Sequence, residues 1–108
     1  MIISEGNTYN LEIPLTTDGE PIDINEVSIV EFMFDDIRKY YGTIDGLEGT
    51  VTYDGEQFIV PLTQEDTFHL NGEQSIKYQA RVKFNNEEVQ NTKIYTGYIT
   101  DSLSKEVL

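Results

Sequence analysis

The sequence predicts an all-β domain of two facing layers, on three observations. The first is the run Gln-Ser-Ile-Lys-Tyr-Gln-Ala-Arg-Val-Lys-Phe at residues 74–84, the longest two-residue period in the chain. Ile76, Tyr78, Ala80, Val82 and Phe84 point one way, and Ser75, Lys77, Gln79, Arg81 and Lys83 the other. A strand with one apolar face needs a packed layer beneath it, which makes it half of a sandwich or barrel wall. The second is the recurrence of such runs, about seven in all, with turn signals at spacings near the 8–12 residues usual in sandwiches. No amphipathic helix, internal repeat or low-complexity linker interrupts them. The third is length: 108 residues form a single domain over 1–108, long enough to bury about two thirds of the unfolded surface without staples.

Each element has its own signal. Tyr9, Leu11, Ile13 and Leu15 alternate with Thr8, Asn10, Glu12 and Pro14, and Pro14 lacks the N–H that a strand paired on both sides needs, so an edge strand is expected. Thr16-Thr17-Asp18-Gly19-Glu20-Pro21 reads as a turn and residues 23–26 as a short irregular crossing. The run Val-Ser-Ile-Val-Glu-Phe-Met-Phe from Val27 is apolar on both sides, with Val30, Phe32 and Phe34 on one and Val27, Ile29 and Met33 on the other beside Glu31. Such a strand is central or has one face covered by another subunit. Asp35-Asp36 turns into the short strand Ile37-Arg38-Lys39-Tyr40-Tyr41, ended by Gly42. After a loop at 43–49, Asp54-Gly55 between Thr50-Val51-Thr52-Tyr53 and Glu56-Gln57-Phe58-Ile59-Val60-Pro61-Leu62 is a hairpin signal. Thr63, with Asp66 three positions on, fits the cap of one or two helical turns near 63–70, stopped by Asn71-Gly72. Asn85-Asn86 reverses the chain into a return strand within 87–100, where Gly97 implies a bulge or a close backbone approach. Leu103, Val107 and Leu108 are too apolar for a free tail, so residues 102–108 dock on this domain or on a partner. Size, strand number and spacing together fit an immunoglobulin-like antiparallel β-sandwich of about seven strands.

Composition excludes several functions. Twenty Asp and Glu against seven Lys and Arg leave a formal charge of −13, which opposes direct binding to a nucleic-acid backbone or an anionic membrane, since both are built on basic contacts. No Cys is present, so disulfides, thiolate metal sites and a Cys nucleophile are out, in keeping with a reducing compartment. No run approaches a membrane span, and Met1-Ile2-Ile3-Ser4-Glu5 lacks the features of a secretory signal.

Candidate chemistry is thin. His69 is the single histidine, with no nucleophile or orienting carboxylate beside it in sequence. The pairs Asp35-Asp36, Glu65-Asp66 and Glu87-Glu88 sit at turns, where adjacent side chains diverge rather than face each other across a groove. Neither Asp18-Gly19-Glu20 nor Asp45-Gly46-Leu47-Glu48 has the ligand spacing of a calcium loop. No catalytic residue, cofactor or metal is therefore expected. A protein surface is better supported. Tyr40, Tyr41 and Tyr95, among seven tyrosines, fall where an outward face is expected, and exposed tyrosine serves interfaces and sugar platforms. Lys77, Arg81 and Lys83 form a basic row that pairs with acids on adjacent strands or docks an acidic surface, including another copy of the chain. These six residues are the candidate interaction surface.

The run Phe58-Ile59-Val60-Pro61-Leu62-Thr63-Gln64-Glu65-Asp66-Thr67, then Gln79-Ala80-Arg81-Val82-Lys83-Phe84, then Leu103-Ser104-Lys105-Glu106-Val107-Leu108, resembles a group of small proteins encoded in phages and prophages of low-GC Gram-positive bacteria. Their strand pattern is similar to the immunoglobulin-like N-terminal domain of phage baseplate upper proteins. The resemblance covers the second half of the chain and supplies no catalytic residue. It implies a non-enzymatic virion part of the tail, baseplate or head–tail region, with phage structural proteins or further copies of itself as partners. Its place would be the virion, or the host cytoplasm before assembly. Two alternatives follow from the residues themselves: an acidic regulator that mimics nucleic acid, which needs its acids arrayed on one surface, and a carbohydrate-binding module, which needs a coplanar tyrosine pair over a groove.

Overall fold

A computed structural model describes residues 1–17 and 19–108; Asp18 of the first predicted turn lies outside them. The chain is mostly β, 52% strand and 8% helical. Its strands in order are β1 (Ile2–Ser4), β2 (Tyr9–Ile13), β3 (Thr16–Thr17), β4 (Glu20–Pro21), β5 (Val27–Phe34), β6 (Ile37–Tyr41), β7 (Thr43–Ile44), β8 (Leu47–Glu48), β9 (Thr52–Tyr53), β10 (Phe58–Leu62), β11 (Gln74–Phe84), β12 (Val89–Asn91) and β13 (Tyr95–Thr100). A 3-10 turn at Ile24–Glu26 and one α-helix, α1 (Gln64–His69), complete the chain.

The strand of longest period, residues 74–84, organises the molecule. β11 pairs with β5 on one side, and on the other with β13 at its start and β12 at its end, which builds a six-stranded sheet in the order β1-β13-β11-β5-β6 with β12 beside β11. Ile76, Ala80 and Val82 are buried, while Lys77 and Arg81 are exposed. The expectation of an antiparallel sheet needs correcting: β1 runs parallel to β13, Ile2 opposite Tyr98 and Ser4 opposite Thr100. The first three-residue strand joins a distant edge, and no local signal marks such a pairing. The strand count also exceeds seven, because the loops at 16–21 and 43–48 close into two-residue ribbons, β1 forms a strand of its own and the return strand divides into β12 and β13.

A second sheet, β2-β10-β9, supplies the facing layer. Phe58, Val60 and Leu62 of β10 are buried in one cluster with Val30, Phe32 and Phe34 of β5. The Phe58 ring lies 5.6 Å from Phe32, 5.5 Å from Tyr41 and 4.9 Å from Tyr53. Among the described residues β2 pairs with β10 alone, as Pro14 predicts, and β9 reaches only Phe58 and Ile59, so Pro61 costs that side no ladder bond. The Asp54-Gly55 hairpin forms with a four-residue loop, in which the Asp54 carboxylate accepts the N–H groups of Glu56 and Gln57 at 2.9 Å.

Two departures from strict alternation shape the core. Between Lys83 and Phe84 the β11–β5 register shifts, so Val27 opposes Phe84 and is buried, instead of sharing the outer face with Ile29 and Met33. Beside β6, residues 49–51 continue the pairing through Gly49 N–H to Gly42 O (2.8 Å) and Val51 N–H to Tyr40 O (3.2 Å), then pass into β9 of the second sheet. The corner requires glycine: a Cβ at Gly49 would sit 2.0 Å from the Tyr40 carbonyl oxygen. α1 carries the predicted cap in full, Thr63 Oγ1 accepting from Asp66 N–H at 3.1 Å and Thr63 N–H donating to Asp66 Oδ2 at 2.8 Å.

Residues 102–108 lie against their own domain through polar groups. Lys105 bonds Glu5 and Asp101, and Leu108 N–H donates to Gln64 Oε1 at 2.9 Å, while Leu103 and Leu108 stay fully exposed. Glu5 is itself buried and accepts from Gly72 N–H at 2.6 Å and Ser102 N–H at 3.4 Å.

Candidate interaction surface

The outer face of the large sheet is assembled by the β11 register. Lys77, Gln79, Arg81 and Lys83 alternate with the buried residues of β11 and so look outward. Arg81 stands opposite Glu31 of β5, and Glu31 opposite Tyr40 of β6. Glu31, with its side chain 15% exposed, accepts from Arg81 Nη2 at 3.0 Å and pairs with Arg38 Nε at 2.7 Å, and the Arg38 guanidinium lies 5.3 Å from the Tyr40 ring centroid. Lys83 reaches Glu87 at 3.2 Å, whereas Lys77 has no ion pair among the described residues. Half-buried Ile29 and Met33 and exposed Val89 and Ile94 interleave these charges. Pairs this exposed contribute at most about 1 kcal/mol each. One carboxylate held by two guanidiniums leaves the patch positive on a chain of charge −13.

Four of the six sequence-picked residues, Tyr40, Lys77, Arg81 and Lys83, share this face. Tyr41 and Tyr95 do not. Ile37 opposes Phe34 across the hairpin, so Ile37, Lys39 and Tyr41 all turn inward, and Tyr41 packs edge-on against Phe58. Tyr95 restarts the ladder opposite Tyr78 after residues 92–94 leave it, which places it on the inner side with Gly97 and Ile99. There Phe34, Tyr78 and Tyr95, in register across three strands, stack as a row with centroids 5.9 and 5.3 Å apart. A Cβ at Gly97 would lie 2.8 Å from the methyl carbon of the flexible Met1 side chain and 3.3 Å from the Met1 carbonyl oxygen. Arg38 and Met33 belong to the outer face and were missed by sequence reasoning; the Arg38/Tyr40 alternation was the signal, but a five-residue strand does not say which side is covered.

The aromatic row borders a cleft of about 360 Å³ lined by Leu11, Ile13, Pro14 and Leu15 with Met1, where the second layer stops. Its rings do not form a sugar platform. Tyr78 is sandwiched between Phe34 and Tyr95, and the Lys93 ammonium sits 5.1 Å from the Tyr95 centroid, so the cleft meets ring edges instead of free faces.

The titratable groups are local. His69 Nε2 lies 2.9 and 3.0 Å from the two Asp36 carboxylate oxygens, which raises the imidazole above and lowers the carboxyl below its ordinary value. Burial alone would raise Asp66, but the Lys39 ammonium at 2.7 Å and the Thr63 N–H outweigh it and hold the carboxyl low. No group of three or more His, Cys, Asp or Glu among the described residues is placed to hold a metal ion, and no helix there is long and apolar enough to cross a membrane. No protein-family model, no curated protein and no solved structure matches the chain.

Proposed function

We propose that the chain is a non-enzymatic interaction module of a phage particle, docking an acidic protein surface on the outer face of its large sheet. The observation that carries the docking is the sorting of charge. Arg38, Lys77, Arg81 and Lys83, four of the seven cations, stand on one uncovered face of a strongly acidic chain, interleaved with Ile29, Met33 and Tyr40. Surfaces of this make-up, basic and aromatic around an apolar centre, are those that capture acidic partners.

The virion assignment rests on the resemblance of residues 58–84 and 103–108 to small phage-encoded proteins. The strand order supports the immunoglobulin-like part of that reading. Large-sheet order β13-β11-β5-β6 corresponds to G-F-C-C′ and small-sheet order β2-β10-β9 to B-E-D of such a sandwich. The test is to purify particles of the phage or induced prophage that encodes the chain and detect it by mass spectrometry, for the wild type and for Lys77→Glu/Arg81→Glu. Incorporation of the wild type and its loss in the folded variant is the expected result. Absence of the wild type from particles overturns the virion role, and unchanged incorporation of the variant overturns the face.

A further inference from the structure

The same face has a complement within the chain. No Lys or Arg occurs at residues 1–37 or 40–76, the stretches that hold all of β2, β9, β10 and both two-residue ribbons. The second layer therefore carries no cation, and Glu12 is the one charged residue of its three strands. By alternation and register its outer surface presents Asn10 and Glu12 of β2, Ile59 and Pro61 of β10 and Thr52 of β9, with half-buried Ile59 and Pro61 at its centre. Exposed Asp54 and Glu56 belong to the turn between β9 and β10 at its end. An apolar centre with an acidic rim on one layer matches an apolar centre with basic side chains on the other.

Resting on the docking face proposed above, we infer that its occupant is a second copy of this chain, stacked head to tail with the anionic outer surface of its small sheet on the basic outer surface of the large sheet. The two surfaces differ, so the contact is heterologous: each copy keeps one free face of each kind, and assembly continues into a ring or filament. A symmetric contact would set Lys77 and Arg81 against themselves and is disfavoured. The net charge repels at long range, but the Debye length of about 10 Å at 0.1 M salt confines that repulsion, and the face-to-face attraction acts within it.

The experiment is light scattering on the full chain at about 0.1 M salt with two variants, Lys77→Glu/Arg81→Glu and Glu12→Lys/Glu56→Lys, both checked for native circular dichroism. These positions are exposed and outside the core, so folding is retained. The wild type should grow in mass with concentration. Each variant alone should be monomeric, because it has lost one of the two surfaces. Mixed, they should associate and grow again with alternating copies, since the first keeps its anionic surface, the second keeps its basic one, and the two reversed surfaces are themselves opposite in charge. A monomeric wild type, or a mixture that stays monomeric, overturns the inference. If the wild type is monomeric while particle incorporation still depends on Lys77 and Arg81, only the self-association fails and the docking face stands.

Discussion

His69 and Asp36 show how a single contact sets a pH response. The imidazole is raised above 6.5 first by the hydrogen bond to Asp36 and then by its charge. A base with a raised folded-state value contributes stability fully present below the unfolded value near 6.5 and lost as pH climbs through the folded value. Asp36, lowered below 3.8 chiefly by the same bond, contributes above 3.8, and this is lost as pH falls through its folded value. The pair is thus complete between those limits. Because His69 is the single histidine, its ring-proton NMR titration is unambiguous: the midpoint should lie above 6.5 and drop toward it in Asp36→Asn, and an unchanged midpoint would refute the contact. At the foot of the same helix, Thr63→Ala removes the acceptor for the Asp66 N–H and should cost about 1 kcal/mol in chemical denaturation.

At the scale of elements, the corner between the two sheets is held by a steric requirement and the facing layer by one ring. Gly49→Ala drives a methyl into the Tyr40 carbonyl. It should destabilise by about 3 kcal/mol, the upper range for overpacking, because backbone on both sides must shift. Phe58→Ala empties the contact among Phe32, Tyr41 and Tyr53 and should cost about 3–5 kcal/mol. Denaturant midpoints of the two variants check both, and a midpoint within error of the wild type for Phe58→Ala would place the core elsewhere. The elements themselves were readable where a pattern is long. Eleven residues of β11 leave no doubt about period or sidedness, and the Thr63/Asp66 spacing specifies a capping box. Tyr41 was expected to face outward and packs inward, and Tyr95 is exposed but stands apart from the basic face, because short strands give a period without an origin. The sidedness of β6 comes from the Phe34–Ile37 pairing and that of β13 from Tyr78–Tyr95, both set by partners.

For the molecule as a whole, shape and charge act together. The radius of gyration is 14.6 Å and the extents are 47 × 30 × 22 Å, against about 13 Å for a compact chain of this length. The large sheet, with strands of up to 11 residues, outruns the small one, whose strands have at most 5, and Tyr78 and Tyr95 line the cleft beside it. With a charge of −13, self-repulsion opposes this slab at low ionic strength. Its melting temperature should rise between about 0.01 M and 0.15 M salt, as the Debye length shortens from about 30 to 8 Å. A flat response in a thermal melt would mean the acids are spread or paired well enough not to matter.

By itself the sequence determined the period of each long strand, the cap of α1, the edge character of β2 and the acidity of the whole, because these are properties of neighbours along the chain. Tertiary structure alone decided the parallel β1–β13 pairing, the burial of Val27 through a register shift, and the gathering of Arg38 with Lys77 and Arg81 around Glu31. Each depends on which distant strand lies alongside, a choice made by packing over the whole core and invisible in any window of the chain.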